Sequence, residues 1–208
     1  EEFHMDQWNV DVTVSASQKA LMLPPGLGFI SFSRKAEKLL DQSVMPCFYF
    51  DLRRYVKSGR DNNSPFTPNI MAILQLERSL EMIRKEGLKK IQARHALYSR
   101  AVREAMKAMG LKLLNEKSRG NVCTAVLLPR SISSSRFLSR IKDKYNVIFA
   151  PGQDGYAETM FRIGHVGYVN TFDIITAVSA CEMGLRNMGC KLELGKGVRA
   201  AEKILTAG

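Results

Sequence analysis

Val10-Asp11-Val12-Thr13-Val14-Ser15 puts a β-branched apolar residue at every second position, so residues 10–15 are predicted to form a strand with one apolar face. Pro24, Pro25, Gly26 and Gly28 punctuate the next stretch, and residues 16–28 read as a turn-rich loop. Residues 29–33 (Phe-Ile-Ser-Phe-Ser) read as a second strand, with Ser33 placed to cap a short helix over 34–40. Residues 58–68 are polar, carry two prolines and read as a loop. The period then changes from two to 3.6. Ile70, Ile73, Leu74, Leu76, Leu80 and Ile83 line a wide apolar face of a long helix. Gly87 is predicted to break it, and a second helix runs from about Leu88 to Met109, with Gly110 as its C-terminal glycine.

The remaining residues alternate between the two periods. Strands are predicted over 122–128, 147–150 and 160–163, and helices over 133–145, 172–187 and 193–205. This order predicts an α/β or α+β domain following the end of an earlier one, with the boundary near Gly87, giving segments 1–86 and 87–208. The opening pair of strands cannot bury its own faces. It calls for a sheet carried by a preceding N-terminal part or by a partner chain, and a first residue of Glu1 rather than Met fits that expectation.

Composition narrows the class. Hydrophobic residues make up 45% of the 208 and charged residues 25%, enough for a sizeable core in a globular protein. No apolar stretch reaches membrane-spanning length. Cys47, Cys123, Cys181 and Cys190 match neither a CxxC pair nor a zinc spacing, so they are expected to be reduced thiols, mostly buried, in a cytoplasmic setting, with no metal site. The net charge is +11, but the basic residues are scattered along helices, as in Arg84, Lys85, Lys89, Lys90 and Arg94. That pattern reads as solvated helix faces rather than a nucleic-acid surface.

Candidate chemistry concentrates in three places. Lys19 lies just past a predicted strand end among small residues, Ser15-Ala16-Ser17-Gln18-Lys19-Ala20-Leu21, before Pro24-Pro25-Gly26. Strand ends are where α/β sheets bind ligands. A lysine that forms an imine must react as the neutral amine, which requires a setting that lowers its pKa. On residue type alone Lys19 is a surface lysine, Thr67 of Thr67-Pro68-Asn69 is a helix cap, and Arg162 of Met160-Phe161-Arg162-Ile163-Gly164 is an ion-pair residue in an apolar strand.

Taken together, these segments resemble the class V aminotransferases that depend on pyridoxal 5'-phosphate, in particular the group of alanine–glyoxylate, serine–glyoxylate and serine–pyruvate aminotransferases. Some chains of this type have been labelled the small subunit of a soluble hydrogenase. The resemblance extends over nearly the whole chain, to Leu194-Gly195-Lys196-Gly197-Val198. It implies that Lys19 forms the internal aldimine with pyridoxal 5'-phosphate and that Gln18 contacts the cofactor. Thr67 would bind the cofactor phosphate of a neighbouring subunit, and Arg162 would bind the substrate carboxylate through two parallel hydrogen bonds. Where the family often has Tyr three residues before that threonine, this chain has Ser64, which implies a looser phosphate grip. His165 reads as a hydrogen-bonded packing residue, and the loop 151–155 as a rim of the site.

The implied fold is α/β: the end of the large domain of a fold-type I aminotransferase (1–86, with the interdomain helix), then the smaller C-terminal α/β domain (87–208). The implied reaction is transamination between serine or alanine and glyoxylate or pyruvate in a homodimer, without nucleic acid or membrane partners, in the cytoplasm or, in a eukaryote, in peroxisomes or mitochondria. The family's glycine-rich phosphate loop, its ring-stacking aromatic and the aspartate that pairs with the pyridine nitrogen have no counterpart in these residues. The alternative expectation is therefore a catalytically incomplete chain with a binding or structural role, in need of a separate N-terminal half.

Overall fold

The computed structural model describes residues 2–117 and 120–207. They divide into two compact units, Glu1–Lys85 and Glu86–Gly208.

In the first unit, β1 (Val12–Ala16) and β2 (Gly28–Phe32) pair antiparallel, with Val14 opposite Ile30. Ser33 ends β2 and caps α1 (Arg34–Leu39), its hydroxyl accepting from the Ala36 N–H at 3.1 Å, as its position in the sequence predicts. Ser33 also donates to Asp11, which accepts a second hydrogen bond from Lys35 at 2.6 Å. These contacts hold the Asp11 carboxyl below its ordinary pKa, the Lys35 bond first and the Ser33 bond second.

The loop predicted over 58–68 starts inside a helix formed by residues 52–60. This is α2 (Leu52–Arg60), capped by the Asp51 side chain accepting from the Arg53 N–H. Leu52, Tyr55 and Val56 recur at helical spacing, and that spacing carries the helix to Arg60 in spite of Gly59. The long helix α3 (Ile70–Glu86) follows as predicted. Its first turn is capped by Asn69, whose Oδ1 accepts from the Ala72 N–H at 3.1 Å, and not by Thr67.

The second unit has a conventional core. Gly87, at φ 88°, separates α3 from α4 (Leu88–Ala108), and Gly110, at φ 79°, ends α4; both are left-handed positions that glycine adopts without a Cβ penalty. A four-stranded antiparallel sheet runs in the order β3 (Lys112–Leu113), β4 (Cys123–Leu127), β6 (Met160–Gly164), β5 (Ala150–Pro151). The strand expected over 147–150 is displaced to Ala150–Pro151. Only there does the chain pair with β6, while Phe149 turns its ring into the core. Proline is tolerated at this position because β5 is an edge strand.

Period-two alternation sorts the sheet. Val126, Phe161 and Ile163 are buried on one face. Against them lie α5 (Ser134–Tyr145), capped by Ser133, and α6 (Thr171–Asn187), opened by an Asn170–Asp173 capping box. Phe137, Phe149 and Phe161 pack ring to ring, with the Phe137 and Phe161 centroids 4.8 Å apart. Gly184 lets α6 approach α5 closely, since a Cβ there would stand 2.3 Å from Ile141 Cδ1.

The last helix, α7 (Lys196–Leu205), starts three residues later than its apolar pattern predicts. Its first N–H groups are satisfied from another helix. The buried Glu182 carboxylate of α6 accepts from Gly195 N–H at 2.9 Å and Gly197 N–H at 2.5 Å. The cysteines correct the expectation of burial. All four are unpaired, yet only Cys181 is buried; Cys47 lies in an exposed segment and Cys123 on the outer face of the sheet, opposite Gly164.

Candidate active site

Lys19 sits three residues beyond the end of β1, in a turn whose conformation is set by Ser17. Ser17 is fully buried. Its hydroxyl donates to Pro24 O at 2.7 Å and accepts from Leu27 N–H at 3.2 Å. Its backbone N–H donates to Leu27 O, and its carbonyl accepts from Leu23 N–H. Four hydrogen bonds from one small residue thus close the loop from 17 to 27. Lys19 O accepts from Met22 N–H at 3.0 Å, and Met22 takes φ 60°, a conformation uncommon outside glycine. Ser79, on α3, donates to Leu21 O at 2.5 Å and ties the loop to the helix.

The result is a rigid turn that presents Gln18 and Lys19 outward, both exposed within this chain. Among the described residues no carboxylate pairs with Lys19. The structure also brings the Thr67 segment to this loop: Asn69 Nδ2 lies 3.4 Å from where a Cβ on Gly26 would stand. Thr67 itself is exposed, two residues before the capping Asn69.

Arg162 is the middle residue of β6, paired with Ala125 of β4 and Ala150 of β5. It points to the face of the sheet opposite the helices, among Cys123, Ala125, Ala150 and Gly164, whose small side chains leave it room. Its Nε–H donates to Pro151 O at 2.9 Å. No carboxylate approaches it among the described residues, so it is not the ion-pair residue that its type suggests. With Nε engaged, the two terminal nitrogens remain to grip a planar carboxylate end-on. The next residue, Gly152, is closely approached by backbone: a Cβ there would stand 2.1 Å from Tyr156 O.

Beyond Arg162, His165 is completely buried, its Nε2 2.9 Å from Thr124 Oγ1. Burial above all pushes its pKa down to about 4, so it is neutral at physiological pH, a packing residue with a hydrogen bond. Pattern reasoning missed Ser17, Asn69 and the Pro151 carbonyl. Ser17 and Asn69 are small polar residues of the kind that bond to backbone in turns, which is the signal available for them. A carbonyl is common to every residue and leaves none.

The comparisons with known proteins agree on the family. The model of the aminotransferase class-V family matches residues 1–166, and the chain belongs to that family. It is 38% identical over 203 residues to the small subunit of a soluble hydrogenase from Synechococcus sp., a match covering 97% of this chain and 53% of that protein. It is 38% identical over 207 residues to a serine–glyoxylate aminotransferase from Arabidopsis thaliana, covering 98% of this chain and 52% of the relative. Among solved structures, pyridoxamine–pyruvate aminotransferase from Mesorhizobium loti superposes with a TM-score of 0.92 at 28% identity, covering 99% of this chain and 54% of that one. The α/β fold is thus that of roughly half of a fold-type I aminotransferase, and the chain spans about half the length of the curated relatives it matches.

The family depends on pyridoxal 5'-phosphate. The exposed side chains of the first unit are chemically compatible with that group: Lys19 offers a primary amine, without a carboxylate partner among the described residues, and Gln18 and Thr67 offer an amide and a hydroxyl.

Proposed function

We propose that this chain carries the lysine and the carboxylate-binding arginine of an aminotransferase acting between a small amino acid, serine or alanine, and a 2-oxo acid, glyoxylate or pyruvate. The observation that carries the reading is Lys19, an amine without a carboxylate partner among the described residues, on a turn made rigid by the buried Ser17. Lys19 Nζ holds the cofactor and, when released from it, moves the proton on and off the substrate α-carbon. Gln18 and Thr67 bind the cofactor's oxygens, Thr67 from the neighbouring subunit of a homodimer. Arg162 fixes the substrate carboxylate and with it the direction of the α-carbon bond that reacts. Pyridoxal 5'-phosphate, when bound, supplies the electron sink that makes the α-proton removable.

We assign the first unit to the end of the large cofactor-binding domain and the second to the small C-terminal domain. The phosphate loop and the partner of the ring nitrogen come, on this reading, from an N-terminal half of the kind that the curated relatives' greater length provides. Four unpaired cysteines favour a reducing compartment such as the cytoplasm. No helix among the described residues is long and apolar enough to cross a membrane.

The test is transfer of nitrogen-15 from labelled serine or alanine to glyoxylate, in the presence of pyridoxal 5'-phosphate and a relative's N-terminal half. Labelled glycine should form, and Lys19→Ala should abolish it. Labelled glycine formed at an unchanged rate by Lys19→Ala would reject the assignment.

A further inference from the structure

Arg162 is followed by Gly164-His165-Val166-Gly167, a segment with two glycines and little rigidity of its own. Its order is imposed by side chains of α4. Arg94 donates from Nη1 to Gly167 O at 3.1 Å and to Val169 O at 3.0 Å. The remaining edge of the same guanidinium is gripped by Glu86 through both carboxylate oxygens, at 2.7 and 3.0 Å. The next residue, His95, is buried, and its Nε2 accepts from Gly167 N–H at 3.2 Å. Gly167, at φ 90°, is thus held at both its N–H and its C=O by two adjacent residues of one helix. The His165 N–H donates to Val122 O, so the chain is held at 165 and again at 167 and 169.

We infer that Glu86, Arg94 and His95 are positioning residues for Arg162, fixing the main chain that leaves β6 and so the aim of the guanidinium. The inference rests on the carboxylate role assigned to Arg162 above. Three features support a positioning role over simple loop packing. The bonds converge on the main chain of one short segment, five to seven residues from Arg162. The Glu86 fork sets the plane of the Arg94 guanidinium, a constraint that a lysine could not transmit. Burial, before any other cause, holds His95 below its ordinary pKa, so its ring stays neutral and able to accept from Gly167.

The full 208-residue chain serves for the test, read by proton exchange in nuclear magnetic resonance. Three signals matter: the Gly167 amide, the Arg162 Nε–H bonded to Pro151 O, and the Val126 amide in the core as a control. In Arg94→Ala and in His95→Phe, exchange at Gly167 and at Arg162 Nε–H should rise roughly tenfold while Val126 stays protected. His95→Gln, which restores an acceptor, should recover protection at both. Should either disruptive variant lose protection at Val126, Arg94→Lys and Glu86→Gln are read instead, with the same expectation at smaller size. Arg162 Nε–H protection unchanged after Gly167 has opened would overturn the inference, as would a Gly167 amide that stays protected in every variant.

A glyoxylate titration followed at the Arg162 guanidinium separates this failure from failure of the functional reading. No shift in the unmodified chain counts against the carboxylate role and leaves the exchange result standing. A shift as large in Arg94→Lys as in the unmodified chain counts against the positioning role alone.

Discussion

The two units of this chain differ in how much they bury among their own residues. In the second, side chains from α4, α5, α6 and the sheet are fully buried: Val102, Val126, Phe137, Phe161, Val178 and Leu185 have no measurable exposure. In the first, Leu23 is the buried apolar residue among those described, and Val44, Met45 and Phe50 stand open, Val44 at 96% and Phe50 at 80%. Its order comes from local devices: the Ser33 and Asp51 caps, the β1–β2 pairing, and aromatic rings that pack on each other, such as Tyr49 on Phe66 at 4.8 Å. The lesson is that caps and turns specify element geometry locally, whereas most of an element's stability comes from packing its apolar face. Lys19 lies in the unit organised by turns, and Arg162 in the unit organised by packing.

The sharpest way to break this contrast is a matched pair of truncations followed by urea denaturation. Phe161→Ala should destabilise its unit by about 3–5 kcal/mol, the usual cost of emptying an aromatic site in a packed core. Phe50→Ala should cost less than about 0.5 kcal/mol, the ordinary effect of a surface change. Equal losses would show that the first unit has a core of its own.

Acid gives the next largest effect. His165 has a folded-state pKa of about 4 against an ordinary 6.5. The unfolded chain therefore takes up a proton that the folded one refuses, and stability falls as pH drops from about 6.5 towards 4, by on the order of 3 kcal/mol. His95 shifts in the same direction and adds to it. Urea midpoints of the second unit at pH 7 and pH 5 measure the slope, and His165→Gln should flatten it.

A smaller loss is expected of Glu182→Ala. It strands the Gly195 and Gly197 N–H groups at the start of α7 and should cost about 2 kcal/mol, seen as earlier melting in circular dichroism. Ser17→Ala should cost less than Glu182→Ala, about 1 kcal/mol, because it acts in the unit that buries little among its own residues. Its signature is local: Lys19 should lose selectivity in reaction with an aldehyde, as the turn from 17 to 27 loosens.

Much of this was legible in the residues. The caps at Ser33 and Ser133 and the breaks at Gly87 and Gly110 follow from local chemistry, and the structure has them all. Strands and helices whose apolar period is clean, such as β4 and α6, emerge close to their expected bounds. What the pattern hid depended on neighbours distant in sequence. β5 exists only where the chain meets β6, α7 begins where Glu182 can cap it, and the exposure of Cys123 depends on which face of the sheet the helices cover. The α2 helix was concealed by a local conflict, with Ser58 and Gly59 announcing a loop inside a helical spacing. In the candidate site, the motifs mark Lys19 and Arg162. The groups that hold them, the Ser17 hydroxyl and the Pro151 carbonyl, act through geometry alone.

The most direct test of the central claim, that Lys19 is the cofactor lysine, is borohydride reduction of the chain with pyridoxal 5'-phosphate, followed by peptide mass mapping. The account predicts a stable phosphopyridoxyl adduct concentrated on Lys19, lost in Lys19→Ala without transfer to other lysines. An adduct spread evenly over the chain's lysines, or concentrated on another one, would contradict it.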